Sequence, residues 1–205
     1  MTEARVSQAM RPRGLVGWIF AFLMERMNAQ AYRWTIEQLR PRDPKSLFEL
    51  GFGAGRFLEI ASGQLPLDRI RGVDPSALMV DQASARLGKL KRQIDVDLLE
   101  GDNKSRFWPN EKFDAIVALH SFQFWTSPEA TLERVGKQLE QKGLLIIVLR
   151  RHDIRSRSNN LPNPLSRSAE EIAGTKSVLS ATGFELVRDE ALDRASFGLV
   201  ARRRE

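Results

Sequence analysis

Glu49-Leu-Gly51-Phe-Gly53-Ala-Gly55 sets three glycines at alternate positions just behind a carboxylate. Glycine takes positive φ freely and lets the backbone approach a ligand with no Cβ in the way. Three glycines in five positions exceed what a tight strand-to-helix turn requires, so the stretch reads as a binding loop. It is not the nicotinamide or flavin pattern G-x-G-x-x-G, because Arg56 stands where that pattern needs glycine. It is not a phosphate loop either, since no Gly-Lys-Ser/Thr follows. A carboxylate two positions ahead of the first glycine suits a ligand with positive charge better than a pyrophosphate. Asp74 in RGVDPS and Asp102 in LLEGDN also close apolar runs. Each has a plainer reading, Asp74 as the cap of a helix starting at Pro75 and Asp102 as a turn residue after Gly101. His120 sits in ALHSFQFW. It is either a general base, which needs a pKa near working pH, or a pocket residue holding one hydrogen bond. Phe122, Phe124 and Trp125, with Tyr32 and Trp34 upstream, either line an acceptor pocket or pack the core.

The elements that must position these groups alternate. Strand-length apolar runs occur at 46–50, 69–73, 94–99, 113–119 and 143–149. Helical spacing follows Pro75, runs from Pro128 to Leu139, and resumes at Ser168, where Ser168-Ala-Glu-Glu171 fits a capping box and Gly183 a stop. Alternation of this kind predicts a mainly parallel α/β sheet covered on both faces, with ligands outside the carboxyl ends of the strands. Two last runs, 184–192 and 195–203, are too closely linked for a parallel crossover, so the final strand is expected to run antiparallel.

The chain of 205 residues predicts one core, organised as an N-terminal helical cap (1–40) and an α/β domain (41–205). Cysteine is absent, which excludes disulfides and thiolate chemistry and suits a reducing, cytoplasmic compartment. With two histidines, no metal site is expected. The net charge of +6 raises nucleic acid as a partner, but the basic residues are scattered, as on a solubilising surface. The run GLVGWIFAFLM (14–24) has the look of a secretory leader, interrupted by Glu25 and Arg26. It falls short of the about 20 residues that a membrane-spanning helix needs. The expectation is no transmembrane segment and a buried or lid-forming helix that stops before Pro41.

Taken together, Glu49-x-Gly51-x-Gly53-x-Gly55, Asp74 after the second strand, Gly101-Asp102 after the third, FDAIVALHSFQFW and GKQLEQKGLLIIV resemble the class I S-adenosylmethionine-dependent methyltransferases over residues 46–203. The resemblance implies a Rossmann-like, doubly wound seven-stranded sheet with its last strand antiparallel. It implies S-adenosyl-L-methionine as cofactor, with Asp74 on the ribose hydroxyls and Asp102 near the adenine. The binding set it implies is Glu49, Gly51, Gly53, Gly55, Asp74, Pro75, Asp102, Asn103 and His120, with His120 also the catalytic candidate. The expected function is methyl transfer to a small organic acceptor; an RNA methyltransferase or a non-catalytic cofactor-binding protein are the alternatives. Two departures stand out. The link from Asp102 to the fourth strand leaves little room for a crossover helix, and Gln141-Lys142-Gly143 replaces the family's Pro-Gly turn.

Overall fold

A computed structural model describes residues 28–90, 93–105, 108–152 and 166–204. The strands are β1 (Ser46–Leu50), β2 (Arg69–Asp74), β3 (Asp95–Glu100), β4 (Phe113–Leu119), β5 (Leu139–Arg150), β6 (Phe184–Ala191) and β7 (Ser196–Arg203). The helices are α1 (Ala29–Leu39), α2 (Arg56–Gln64), α3 (Ala77–Leu87), α4 (Pro128–Gln138) and α5 (Ala169–Ala181). The sheet order is β3-β2-β1-β4-β5-β7-β6. Strands β1 to β5 pair in parallel, and β7 pairs antiparallel with both β5 and β6. The order reverses between β1 and β4, and such a switch point opens a crevice at the carboxyl ends of the strands.

Alternation along the strands divides the core. On one face Leu47, Ala115, Val117 and Ile146 meet Phe57 and Leu58 of α2, Leu87 of α3, and Ile36 and Leu39 of α1. On the other, Phe48, Ile116, Leu145 and Ile147 meet Leu132 and Val135 of α4 and Ile172 and Leu179 of α5. Glu49 follows Leu47 by two residues, so the strand's two-residue period puts its carboxylate on the α1–α3 face.

Several sequence expectations change in detail. The helix after Asp74 starts at Ala77 behind the N-cap Ser76, so Pro75 precedes the cap. No turn separates α4 from β5. Gln141-Lys142-Gly143 lies inside the strand, where β5 spends five residues (Leu139 to Leu144) while β4 spends two (Phe113 to Ala115). A bulge absorbs the extra residues without reversing the chain. The expected lid helix over 14–39 is described from residue 28 onward, and there it belongs to the core. Trp34 lies against Gly198 and donates its indole N–H to Glu190 at 2.6 Å, while Tyr32 packs on Phe57 at 5.9 Å. Its earlier part, and Arg155 and Arg157 of the loop 152–167, lie outside the described residues.

Two expectations hold. Ser168 and Glu171 form a reciprocal capping box at the start of α5, and Gly183 beyond its end has φ +85. Among the described residues no helix separates β3 from β4. Trp108 lies over Phe48 there at 5.3 Å, under the guanidinium of Arg134 at 4.2 Å, and covers sheet that a crossover helix would cover.

Candidate cofactor and acceptor site

The glycine loop leaves β1 at the switch point. Gly51, Gly53 and Gly55 have φ +79, +54 and +75, and Gly55 is the N-cap of α2. They serve different ends. A Cβ on Gly51 would stand 2.5 Å from the Cβ of Ser121, and one on Gly55 2.8 Å from the Cβ of Ala83. One on Gly53 would meet nothing within 4 Å. Packing therefore demands two of the glycines, whereas the third faces open space.

Asp74, at the end of β2, holds this loop in place. Its Oδ2 accepts from the Gly53 N–H at 2.9 Å, and its Oδ1 from the Ser76 N–H at 3.0 Å. Asp74 thus holds the turn into α3, close to the capping role weighed for it in the sequence, and it also braces the glycine loop, which the sequence did not suggest. Each oxygen retains a further lone pair. Burial raises its pKa to about 6, against the pull of those two N–H groups. Glu49, 2% exposed, is raised well above the carboxylate range, first by burial and then by the charge of Asp74. Its Oε2 is buried and has no hydrogen-bond partner among the described residues.

The loop after β3 joins through the Gly101 N–H, which donates to the Asp74 carbonyl at 2.9 Å. The Asp102 carboxylate accepts from the Lys104 N–H at 2.9 Å, the turn role weighed for it in the sequence. The Asp102 carbonyl accepts the Trp108 indole N–H at 2.9 Å. Asn103 turns away to α4, donating to the Thr131 hydroxyl at 2.8 Å. Pro75 is half-buried between Asp74 and the N-cap of α3.

His120 follows β4 with φ +56, a left-handed conformation rare for a non-glycine residue and characteristic of sites held by their surroundings. Its ring is buried, and neither nitrogen has a hydrogen-bond partner among the described residues. Burial, and then the charge of Arg150, push its pKa well below the ordinary histidine range, so the imidazole is neutral. The next residue, Ser121, docks this segment on the glycine loop: its hydroxyl donates to the Leu50 carbonyl, and its Cβ fills the place that Gly51 leaves free. Gln123 then sits in the 3-10 turn Phe122–Phe124 and donates to the His120 carbonyl at 2.7 Å. The sequence marked HSFQFW for its aromatics. Phe122 and Trp125 do stack, at 4.7 Å, but the polar residues between them make the contacts with the site. Nothing in the spacing of Ser121 and Gln123 identified them; their role comes from the meeting of β4 with β1.

Positive-φ glycines, an acid near the end of β1 and an acid at the end of β2 meet at the switch point of a β3-β2-β1-β4-β5-β7-β6 sheet, the place where a doubly wound α/β fold offers a ligand crevice. The family model described as a methyltransferase domain matches residues 48–147. A malonyl-[acyl-carrier protein] O-methyltransferase of Paenibacillus sp. is 28% identical over 135 residues, 62% of this chain and 48% of that protein. This chain therefore spans about half the length of that relative. Among solved structures, the methyltransferase domain of bacterial CtHen1 superposes with a TM-score of 0.70 at 16% identity, covering 85% of this chain and 98% of that one. The [4+2]-cyclase SpnF superposes with a TM-score of 0.67 at 17% identity, covering 86% and 81%. On the sheet order and the solved structures on which it superposes, the chain has the fold of the class I S-adenosylmethionine-dependent methyltransferases, and the methyltransferase-domain model matches just under half of it. Among the described residues no group of three or more His, Cys, Asp or Glu could hold a metal ion, and no helix is long and apolar enough to cross a membrane.

Proposed function

We propose that this chain binds S-adenosylmethionine at the β1–β2–β4 ends and transfers its methyl group to a small organic acceptor. The observation that carries the reading is the join of Gly53, Asp74 and Glu49: a bare glycine backbone and two buried carboxylates, one with an unpartnered oxygen. The residues fit the cofactor. Glu49 would take its ammonium group, a cation that offsets the cost of keeping a carboxylate out of water. Asp74 has lone pairs for ribose hydroxyls, the open space at Gly53 admits a close approach, and the half-buried Asp102 turn borders the adenine position.

When bound, the cofactor supplies a methyl group made electrophilic by its sulfonium, so positioning and water exclusion supply most of what the protein must add. His120 is assigned here to orienting the acceptor. A ring held neutral below its ordinary range is a weak proton acceptor, whereas its N–H and lone pair still align a substrate. The relative named a malonyl-[acyl-carrier protein] O-methyltransferase supports transfer to oxygen. Transfer to RNA and cofactor binding without transfer are the readings that the same experiment separates; SpnF, similar in fold, is named a cyclase.

Calorimetry with S-adenosylmethionine and S-adenosylhomocysteine is expected to show binding at micromolar to millimolar dissociation constants, about the range of enzyme substrates. Labelled methyl donor with pooled metabolites and with RNA then identifies the acceptor class. Binding of NAD with no response to either sulfur ligand would overturn the cofactor assignment.

A further inference from the structure

Gln123 and His120 leave three buried polar atoms without partners among the described residues: Gln123 Oε1 and both imidazole nitrogens. The residues are 5% and 8% exposed, so water does not readily serve these atoms. Folded proteins seldom leave such groups unpaired without a use. The orientation of the Gln123 amide is fixed. Its nitrogen donates to the His120 carbonyl at 2.7 Å, and a flipped amide would set oxygen against oxygen. The turn beneath it is held as well, since Arg167 Nη2 donates to the Gln123 carbonyl at 3.2 Å. Oε1 is therefore a fixed acceptor with no donor. His120, whose backbone carbonyl holds that amide, carries a neutral ring with one N–H and one lone pair. Ser121, between the two, is packed on Gly51, so the pair stands against the glycine loop and hence beside the methyl donor of the proposed function, on which this inference rests.

We infer that Gln123 and His120 select the acceptor, and that they select an uncharged protic group, a hydroxyl above all, over a carboxylate or an ether. A hydroxyl can donate a hydrogen bond to Gln123 Oε1 while its oxygen accepts from the His120 N–H, and a lone pair remains for the methyl carbon; on transfer the hydroxyl proton would leave to solvent with the product. A carboxylate has no proton to give to Oε1, and the Arg150 charge felt at His120 is already set against Asp193. An ether lacks the proton as well.

The test uses the full chain saturated with S-adenosylhomocysteine and four matched probes: phenol, benzyl alcohol, anisole and benzoate. Ligand-observed NMR should give phenol or benzyl alcohol about tenfold tighter binding than anisole and benzoate, the scale of one or two net hydrogen bonds. Gln123→Met, similar in length but without the oxygen, should erase that preference and leave the affinity for S-adenosylhomocysteine unchanged. A second readout needs no variant. The chain has two histidines, so the imidazole nitrogen signals of His120 are separable from those of His152, and they should shift with phenol and not with anisole. Preference for benzoate or anisole, no binding of either protic probe, a preference that survives Gln123→Met, or a silent His120 ring would each overturn the inference. Failure to bind S-adenosylhomocysteine would instead overturn the cofactor site.

Discussion

The two ends of β1 are built on opposite plans. At the amino end Asp114 Oδ2 accepts from the Ser46 hydroxyl at 2.8 Å and from the N–H groups of Ser46 and Lys45 at 2.9 and 3.0 Å, while the Asp114 N–H donates back to the Ser46 hydroxyl at 3.0 Å. Arg71 nearby is paired with Asp95 at 2.7 Å and Glu111 at 3.0 Å. Three residues along the strand, Glu49 has a buried oxygen with no partner among the described residues, and beyond it come three left-handed glycines and a left-handed histidine. At one end the polar groups are used by the fold. The other leaves some of them unpaired and carries the strain. A chain can sustain the second plan because the first secures the same strand.

That contrast can be broken by substitution. The largest effect is expected at Gly51. Gly51→Val combines φ +79 with a Cβ 2.5 Å from that of Ser121, and should cost about 2–5 kcal/mol of stability in urea denaturation through strain and overpacking. Gly53→Ala also has a left-handed φ, yet its Cβ enters open space. It should cost only about 1–2 kcal/mol of stability while weakening S-adenosylhomocysteine binding severely. Equal stability losses in the two variants would show that the loop is uniform and the distinction false.

At the other end, Asp114→Ala strips the buried Ser46 N–H and hydroxyl of their acceptor. A loss of about 1–3 kcal/mol is expected in the same denaturation, with cofactor affinity unchanged. A matching loss of affinity would mean that the two ends are not separable.

A finer test is pH. Folding raises Asp74 from 3.8 to about 6, so in the free protein its contribution to stability is full below about 3.8 and is lost as pH rises through 6; Glu49 acts in the same direction. Binding runs the other way, because ribose hydroxyls and a cationic ligand favour the ionised carboxylate. Affinity for S-adenosylhomocysteine should therefore rise about tenfold from pH 5 to pH 7, the change in ionised fraction about a midpoint near 6. Asp74→Asn should flatten the profile. Calorimetry across that range checks both, and an unchanged slope in the variant would place the titration elsewhere.

The smallest effect is expected at Arg56, which stands where a dinucleotide loop has glycine. Its guanidinium turns to Glu59 at 2.6 Å on the exposed start of α2. Arg56→Ala should change stability by about 0.2–1 kcal/mol and leave cofactor affinity alone. A large loss of affinity would make Arg56 part of the site.

Features set by neighbours in sequence were legible in advance. Alternation gave β1 and β4 to the residue, the capping box gave the start of α5, and the short link between the last two runs gave the reversal of β7. The acid-glycine spacing marked the left-handed loop after β1 for the same reason, since such backbone at a strand end is a local demand. The bulge in β5 was not legible, because a Gly-containing stretch after a helix has the composition of a turn, and only pairing with β4 shows that the strand continues.

Tertiary structure alone decided which distant groups meet. It put Ser121 into the place of a Cβ on Gly51, joined Asp74 to the Gly53 N–H across 21 positions, and laid Trp34 on Gly198 rather than over an acceptor. It also left Gln123 Oε1 unpartnered, which no spacing encodes. The physical reason is that backbone conformation is fixed by a residue and its near neighbours, whereas a hydrogen bond or a close packing contact depends on the register of strands that are far apart in the chain.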